Sequence, residues 1–485
     1  MLGKLFRLSL KFMLLVALVW LVVIVWWQVT YRMPNGTDIF LYLVMLPVAL
    51  AVTFWLIKKS FQAFKNHKQN LTIPAAALGG AAAVADTKTA ELERSFSLRL
   101  LASSCKTTCG DSTADLAAAA TENKRPQLDA ELKDNNGFPV FAGRVNDLDV
   151  ETVRAELEPH IKAEQTPLDQ WPAQSLRALS LLSDVLDELL DEASSHPRAA
   201  PAEPEKVGQP ADLVSLRVVA LVPDAWPEPL RLVISAWLKG KIESTSTWPA
   251  NRLNVNLIPL RQAGEVMVLL DQLNLSVNRE QRKDLNIVIA CESHISEASV
   301  EVFEAQKKLF SAAEKNGLLP GEAACGLLLA SAAVAADLEQ DKPVEMRRVS
   351  AAKRDKSVEA AGRVSSALVI QLVEYALEAA QDEQANVCAV VSDTDHRSSR
   401  ATELGAMLTA KFEALDVAAD CLQVSSASGY IGAVSVLTGL AVAGEIALER
   451  NGPVLFVSAD DVFDRAALVV KPVIPVETPA APVAT

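Results

Sequence analysis

The 485-residue sequence predicts a duplicated α/β body preceded by an N-terminal two-helix transmembrane hairpin. Three observations predict it. Two long uncharged apolar runs stand near the N-terminus, short β-branched runs alternate with long Ala/Leu-rich stretches through the rest, and two strand-turn-helix blocks recur in the same order.

The apolar runs span residues 12–31, from Phe12 to Tyr31 without a charge, and 39–57, IFLYLVMLPVALAVTFWLI. Each matches the roughly 20 residues that a hydrocarbon core of about 30 Å requires. A cleavable signal has a shorter apolar core and a small-residue cleavage site, whereas Trp26 and Trp27 end the first run and a second span follows, so the hairpin is retained. Lys4, Arg7 and Lys11 precede the first span, Lys58, Lys59, Lys65 and Lys68 follow the second, and the connecting loop holds only Arg32. That asymmetry predicts a multi-pass protein with its N-terminus and soluble body in the cytoplasm, placed by analogy with bacterial envelope assemblies in the inner membrane.

Domain boundaries follow from composition. Residues 1–68 form the anchor, 69–92 an Ala/Gly-rich flexible linker, 93–470 the folded body and 471–485 a Pro-rich disordered tail. The formal net charge of −14 makes nucleic acid an unsuitable partner. Of the six cysteines only Cys105 and Cys109 lie close together, in CKTTC, a spacing that is neither CxxC nor matched by a second cluster. Small buried thiols of a reduced compartment are the simpler reading.

Within the body, LRVVALV (216–222), NIVIAC (286–291), GLLLAS (326–331), NVCAVVS (386–392) and PVLFVSA (453–459) are apolar runs of the kind found in sheets covered on both faces. The stretch at 175–195 has apolar residues at three- and four-residue steps with Asp and Glu between, which predicts a surface helix with a solvated acidic face. The repeat pairs 215–238 with 385–408, then 253–294 with 421–461, and sets Gly264 against Gly432.

Three passages, LLPGEAACGLLLAS (318–331), VVSDTDHRSSRATELGAM (390–407) and VSSASGYIGAVSVL (424–437), make residues 215–461 resemble the thiolase fold and, within it, the β-ketoacyl synthases. The likeness is to that family's Gly-Glu-Gly-Ala-Gly stretch, its His-Gly-Thr-Ser-Thr loop and its Lys-Ser-x-x-Gly-His-x-x-Gly-Ala loop. It implies αβαβα layers, a Cys that becomes an acyl thioester at a helix N-terminus, and two His that support decarboxylation and the developing oxyanion. The nucleophile belongs within NLIPLRQAG (256–264), yet no Cys occurs from Asn256 to Asp271. The first His falls at or near Asp393 and the second at Tyr430, and small residues around Ser426 and Ala427 replace the Lys.

Rival candidates are His396, in the right loop but expected as an exposed side chain, and Cys291 with His294 as a nucleophile and base pair. Cys325 and Cys388 alternate with strand residues and are expected to pack, and Glu322 to hold a structural turn. No phosphate-binding loop, dinucleotide fingerprint, His-Glu-x-x-His or Gly-x-Ser-x-Gly elbow occurs, and five His, one of them His67 beside the membrane, leave no histidine metal site or cofactor to expect.

The resulting expectation is a catalytically degenerate ketosynthase-like scaffold of a bacterial envelope assembly, with the type VI secretion apparatus as the analogy. It would contact the bilayer and other inner-membrane or cytoplasmic proteins. Its alternatives are an acyl-transferring or condensing enzyme using lipid thioesters, or an acyl-chain binding subunit, which the acidic surface disfavours because acyl carriers are acidic too. The resemblance also implies a homodimer through the edge LNVNLIPL (253–260), giving one ten-stranded layer across two chains, with Pro259 tolerated at the strand end.

Overall fold

The computed structural model describes residues 87–164, 171–199, 213–246, 248–338 and 343–473. The chain divides into two units, 1–82 and 83–485. The predicted spans, with His67 beside them, lie outside the described residues, as do most of the predicted linker and tail. Among the described residues no helix is long and apolar enough to cross a membrane.

The first part of the body contains α1 (Thr87–Arg94), β1 (Leu98–Thr107), α2 (Thr113–Thr121), the hairpin β2 (Gln127–Lys133) and β3 (Pro139–Ala142), α3 (Val150–Glu164) and α4 (Ser175–Ser194). The first repeat follows as β4 (Ser215–Pro223), α5 (Glu228–Thr245), β5 (Leu253–Leu260), α6 (Gly264–Arg279), β6 (Asp284–Ser293), α7 (Glu297–Ala305) and β7 (Glu322–Ala330). After α8 (Ala332–Ala335), β8 (Val344–Met346), β9 (Ser350–Lys353) and α9 (Ala367–Ala380) comes the second repeat. It comprises β10 (Ala389–Ser392), α10 (Ser398–Lys411), β11 (Cys421–Gln423), α11 (Val424–Ser428), α12 (Val434–Arg450), β12 (Val454–Ser458) and β13 (Asp464–Pro472).

Eleven strands form one mixed sheet in the order β11-β10-β12-β13-β8-β1-β7-β6-β4-β5, with β9 paired to β13. The duplication is visible in that order: β5-β4-β6-β7 at one end repeats as β11-β10-β12-β13 at the other. In each repeat the first three strands run parallel and the last is antiparallel. The two ends fold over the same helix, because α12 touches β6 and β7 as well as β10, β12 and β13.

Strand alternation explains the layers. Along β6, Leu285, Ile287, Ile289 and Cys291 face an outer core with α3, α4 and α5. Val288 and Ala290 face a central core with α2, α6 and α12. A third core joins α9 and α10 to the far faces of β10, β12 and β13. The result is an αβαβα stack in which both strand faces are covered, so the strands read as continuous apolar runs. Thirteen of the 17 residues of α12 are buried, as a helix caught between two sheets requires.

Two expectations need correction. The helix at 175–195, α4, does present Asp184, Asp191 and Glu192 to solvent, but α3 and α5 flank it and twelve of its 20 residues are buried. Helix α1 occupies the end of the stretch expected as linker, and β13 runs past residue 470. All six thiols are free, and Cys105 lies across the β1–β7 ladder from Cys325.

Candidate functional site

The parallel strands of both repeats end on one side of the body, where an open α/β sheet receives ligands. There, a cavity of about 830 Å³ lies among the ends of β4, β5 and β6, the turns before α10 and α12, the turn after β12 and the loop at 358–364.

Of the candidate residues singled out in the sequence, Cys291 and Tyr430 line this cavity, and Asp393, His294 and His396 are not among its lining residues. The turn expected to carry a nucleophile is Arg261-Gln262-Ala263, between β5 and α6. Arg261 points outward, with a side chain 74% exposed and its Nε 2.9 Å from Asp224. Asp393 is fully buried and accepts from Ser458 Oγ at 2.5 Å and from the Ala459 and Asp460 amides at 2.7 and 3.1 Å. Its carboxylate ties the end of β10 to the turn after β12. Burial raises its pKa against the pull of those donors.

Tyr430 borders the cavity, but its ring packs on a small core that holds Ile295, Val300 and Phe303. Its ring centroid lies 5.0 Å from that of His294 and 6.0 Å from that of Phe303. Burial drives the phenol well above its usual range. The Tyr430 amide donates to the Leu319 carbonyl at 2.7 Å, so the loop is fastened along the segment leading to Glu322.

The rival candidates separate. Cys291 borders the cavity, yet its side chain belongs to the outer core and it is only 1% exposed. Burial raises its thiol far above the ordinary range, which keeps it protonated. The next residue, Glu292, faces the opposite way by strand alternation. Its Oε2 accepts from the Ala433 amide at 3.2 Å, and its Oε1 lies 3.1 Å from His294 Nε2. The carboxylate fills the space a side chain would need at Gly432, whose φ of +52° also favours glycine. His294 therefore lies beside Glu292 and packs on the rings of Phe303 and Tyr430. His396 is not the exposed loop residue expected, since it is half-buried with its ring edge-on to Phe310, centroids 5.2 Å apart. Burial lowers its pKa.

The charged groups that sequence reasoning missed lie at the start of α10. Arg397 takes both oxygens of Asp395 on its Nε at 2.8 Å and also contacts Asp460. Three carboxylates, Asp393, Asp395 and Asp460, crowd this corner. Burial pushes Asp460 up to about 7, against the pull of Arg397 and helped by its two neighbours.

Between the ordinary carboxyl range and about pH 7 the folded state therefore keeps a proton on Asp460 that the unfolded chain has lost. That contribution to stability is present at low pH and is lost as pH rises toward 7. Asp460→Asn, which mimics the protonated form, is expected to gain on wild type by about 2–3 kcal/mol between pH 5 and pH 8 in urea unfolding. A gap that stays constant across that range would show Asp460 to be ionised throughout.

The body is similar to several solved structures. One, described as the ishigamide ketosynthase/chain length factor, has a TM-score of 0.50 at 16% identity over 77% of this chain and 99% of that one. A type II PKS ketosynthase in complex with its acyl-carrier protein, bound to the hexaketide, gives 0.55 at 13% identity over 78% and 99%. The fold is that of the ketosynthases. An oxazolomycin ketosynthase domain from Streptomyces albus gives 0.55 at 12% identity over 80% of this chain and 76% of that one. No family model and no curated protein matches the sequence. The ketosynthase fold thus carries here a cavity with ion-paired arginines at one end and apolar side chains in its lining.

Proposed function

We propose that this chain is a ketosynthase-fold protein without ketosynthase chemistry, serving as a membrane-anchored scaffold. The observation that carries the reading is the turn before α6. No Cys stands in it, Arg261 is turned to solvent and bound to Asp224, and Cys291, the one thiol among the cavity's lining residues, sits on the far side of its strand. Asp393 is engaged by the fold itself, and a Tyr packed into a core supplies no imidazole. A large fold keeps its packing when its site is lost, because function lives in residues grafted onto it.

The bilayer, through the two predicted spans, and proteins of a bacterial envelope assembly such as a type VI secretion apparatus are the partners in this reading. A homodimer is part of it too, since β5 is an edge strand. A binding subunit working with an active partner ranks second, supported by the cavity, whose volume of about 830 Å³ suits a small ligand.

The deciding experiment is an intact-mass measurement on the full-length protein in detergent after incubation with acyl-CoA and acyl-carrier thioesters, repeated with Cys291→Ala. No adduct is expected on either protein. A stoichiometric acyl adduct on wild type that disappears in the variant would reinstate Cys291 as a nucleophile and end the scaffold reading.

A further inference from the structure

One wall of the cavity is formed by residues 358–364 of the loop at 354–366. The loop is fastened at both ends and at one point between: the Arg354 amide donates to the Phe463 carbonyl at 2.9 Å, Arg354 Nη1 to the Ser365 carbonyl at 3.0 Å, and the Val358 amide to the Val462 carbonyl at 2.9 Å. Beyond Val358, which is buried, Glu359 reaches back to Arg400 at 2.7 Å and to Arg397 at 3.9 Å.

The two arginines are not equivalent. Arg397 has two carboxylates of the body, Asp395 and Asp460. Arg400 is 1% exposed, and its other partners are the Asp460 carbonyl at 3.1 Å and Ser399 Oγ at 2.9 Å. Among the described residues its one carboxylate partner is Glu359, whose side chain is 51% exposed. A buried guanidinium must be paired, and here the pairing depends on a half-exposed residue of a surface loop. A second cation of that loop, Arg363, also lines the cavity and is exposed. Leu221, Leu260, Val358 and Val462 supply apolar lining beside the charged end.

We propose that Arg400, with Arg397 beside it, is the anion-binding end of this cavity and that Glu359 is its displaceable internal occupant. The ligand is a small molecule with a carboxylate or phosphate head group, which takes the place of Glu359 on the guanidinium, and an apolar body that lies against the leucines and valines. Guanidinium forks bind both head groups in the same way. The loop at 354–366 is then a strap that the ligand must unlatch, and the latch lowers apparent affinity by the fraction of time it is open. The inference stands apart from the loss of chemistry proposed above, because a binding site requires no nucleophile.

The test is calorimetric titration of the full-length protein in lipid nanodiscs with hexanoate, hexyl phosphate, inorganic phosphate and hexylamine. With the latch removed in Glu359→Gln, hexanoate or hexyl phosphate is expected to bind about tenfold more tightly than to wild type. Whichever of the two binds better names the head group. Hexylamine is expected not to bind, and Arg400→Gln to lose the anion. The proposal is overturned if Glu359→Gln binds neither organic anion, or binds them no better than wild type, or if hexylamine binds as well. Inorganic phosphate binding as tightly as hexyl phosphate overturns the apolar half of the site. Glu359→Gln changes a half-exposed side chain, so the result does not depend on the folding of the Arg400 variant.

Discussion

Glu322→Ala is expected to cost about 3–5 kcal/mol of folding stability, the loss that follows when one member of a buried ion pair is removed. Glu322 opens β7 and has no exposure at all. Its two oxygens receive Arg177 from α4 at 2.5 and 2.8 Å, the Val145 amide at 2.8 Å and Ser293 Oγ from the end of β6 at 2.8 Å. One carboxylate thus joins four separate pieces of chain, and its removal leaves a largely buried guanidinium, a hydroxyl and an amide without their acceptor. Glu322→Gln keeps the shape and some acceptor capacity and should lose less, about 1–3 kcal/mol. Glu158→Ala, which breaks an exposed pair with Lys162 on α3, should leave the unfolding midpoint unchanged. Urea unfolding of the three variants decides the matter, and a Glu322→Ala protein within 1 kcal/mol of wild type would show that the junction holds without its carboxylate.

That junction shows how far the sequence could be followed. The run GLLLAS and the Glu before it mark a strand with a turn, and Glu322 was expected to be structural. Its partners were not legible, because Arg177 lies 145 positions away and nothing local in α4 marks one arginine as buried. The repeat was legible for a different reason: strand, turn, Gly and apolar helix recur in order, and that order alone fixes equivalent places for Gly264 and Gly432. The order of strands across the sheet was not, since β1 and β8 enter between the repeats from distant parts of the chain.

The site divides in the same way. The lack of a Cys before α6 needed only the sequence. That Cys291 and Glu292 face opposite layers needed the register of β6, and parity along the strand was the signal that could have given it. Arg397 and Arg400 stand three apart at the start of α10, a spacing that sets them on one side of a helix, which was the one local hint of the charged end of the cavity. Glu359 gave no such hint, because its partners are 38 and 41 positions further on and its own loop has no periodicity.

Gly143→Ala is expected to be nearly as damaging as the loss of Glu322, through space and not charge. Gly143 bridges to Gly321, with its amide donating to the Pro320 carbonyl at 2.7 Å and its carbonyl accepting from the Glu322 amide at 3.2 Å. A Cβ on Gly143 would fall inside the contact radius of the Ser428 carbonyl, and one on Gly321 would lie 2.5 Å from the same oxygen. The obstacle is backbone, so no change of rotamer relieves it. Either Gly143 or the loop Ser428-Gly429-Tyr430 must move, and that loop carries the hydrogen bond from the Tyr430 amide to the Leu319 carbonyl and the ring packed against His294. Overpacking of this kind costs about 2–3 kcal/mol. Gly405 lies in the middle of α10 with open space where a Cβ would go, so Gly405→Ala is expected to gain about 0.5–1 kcal/mol. The same added methyl group should therefore destabilise at one glycine and stabilise at the other. If Gly143→Ala unfolds at the wild-type urea concentration, the Ser428 loop is free to yield, and the close seat between Gly143 and Gly321 does not hold Tyr430 in place.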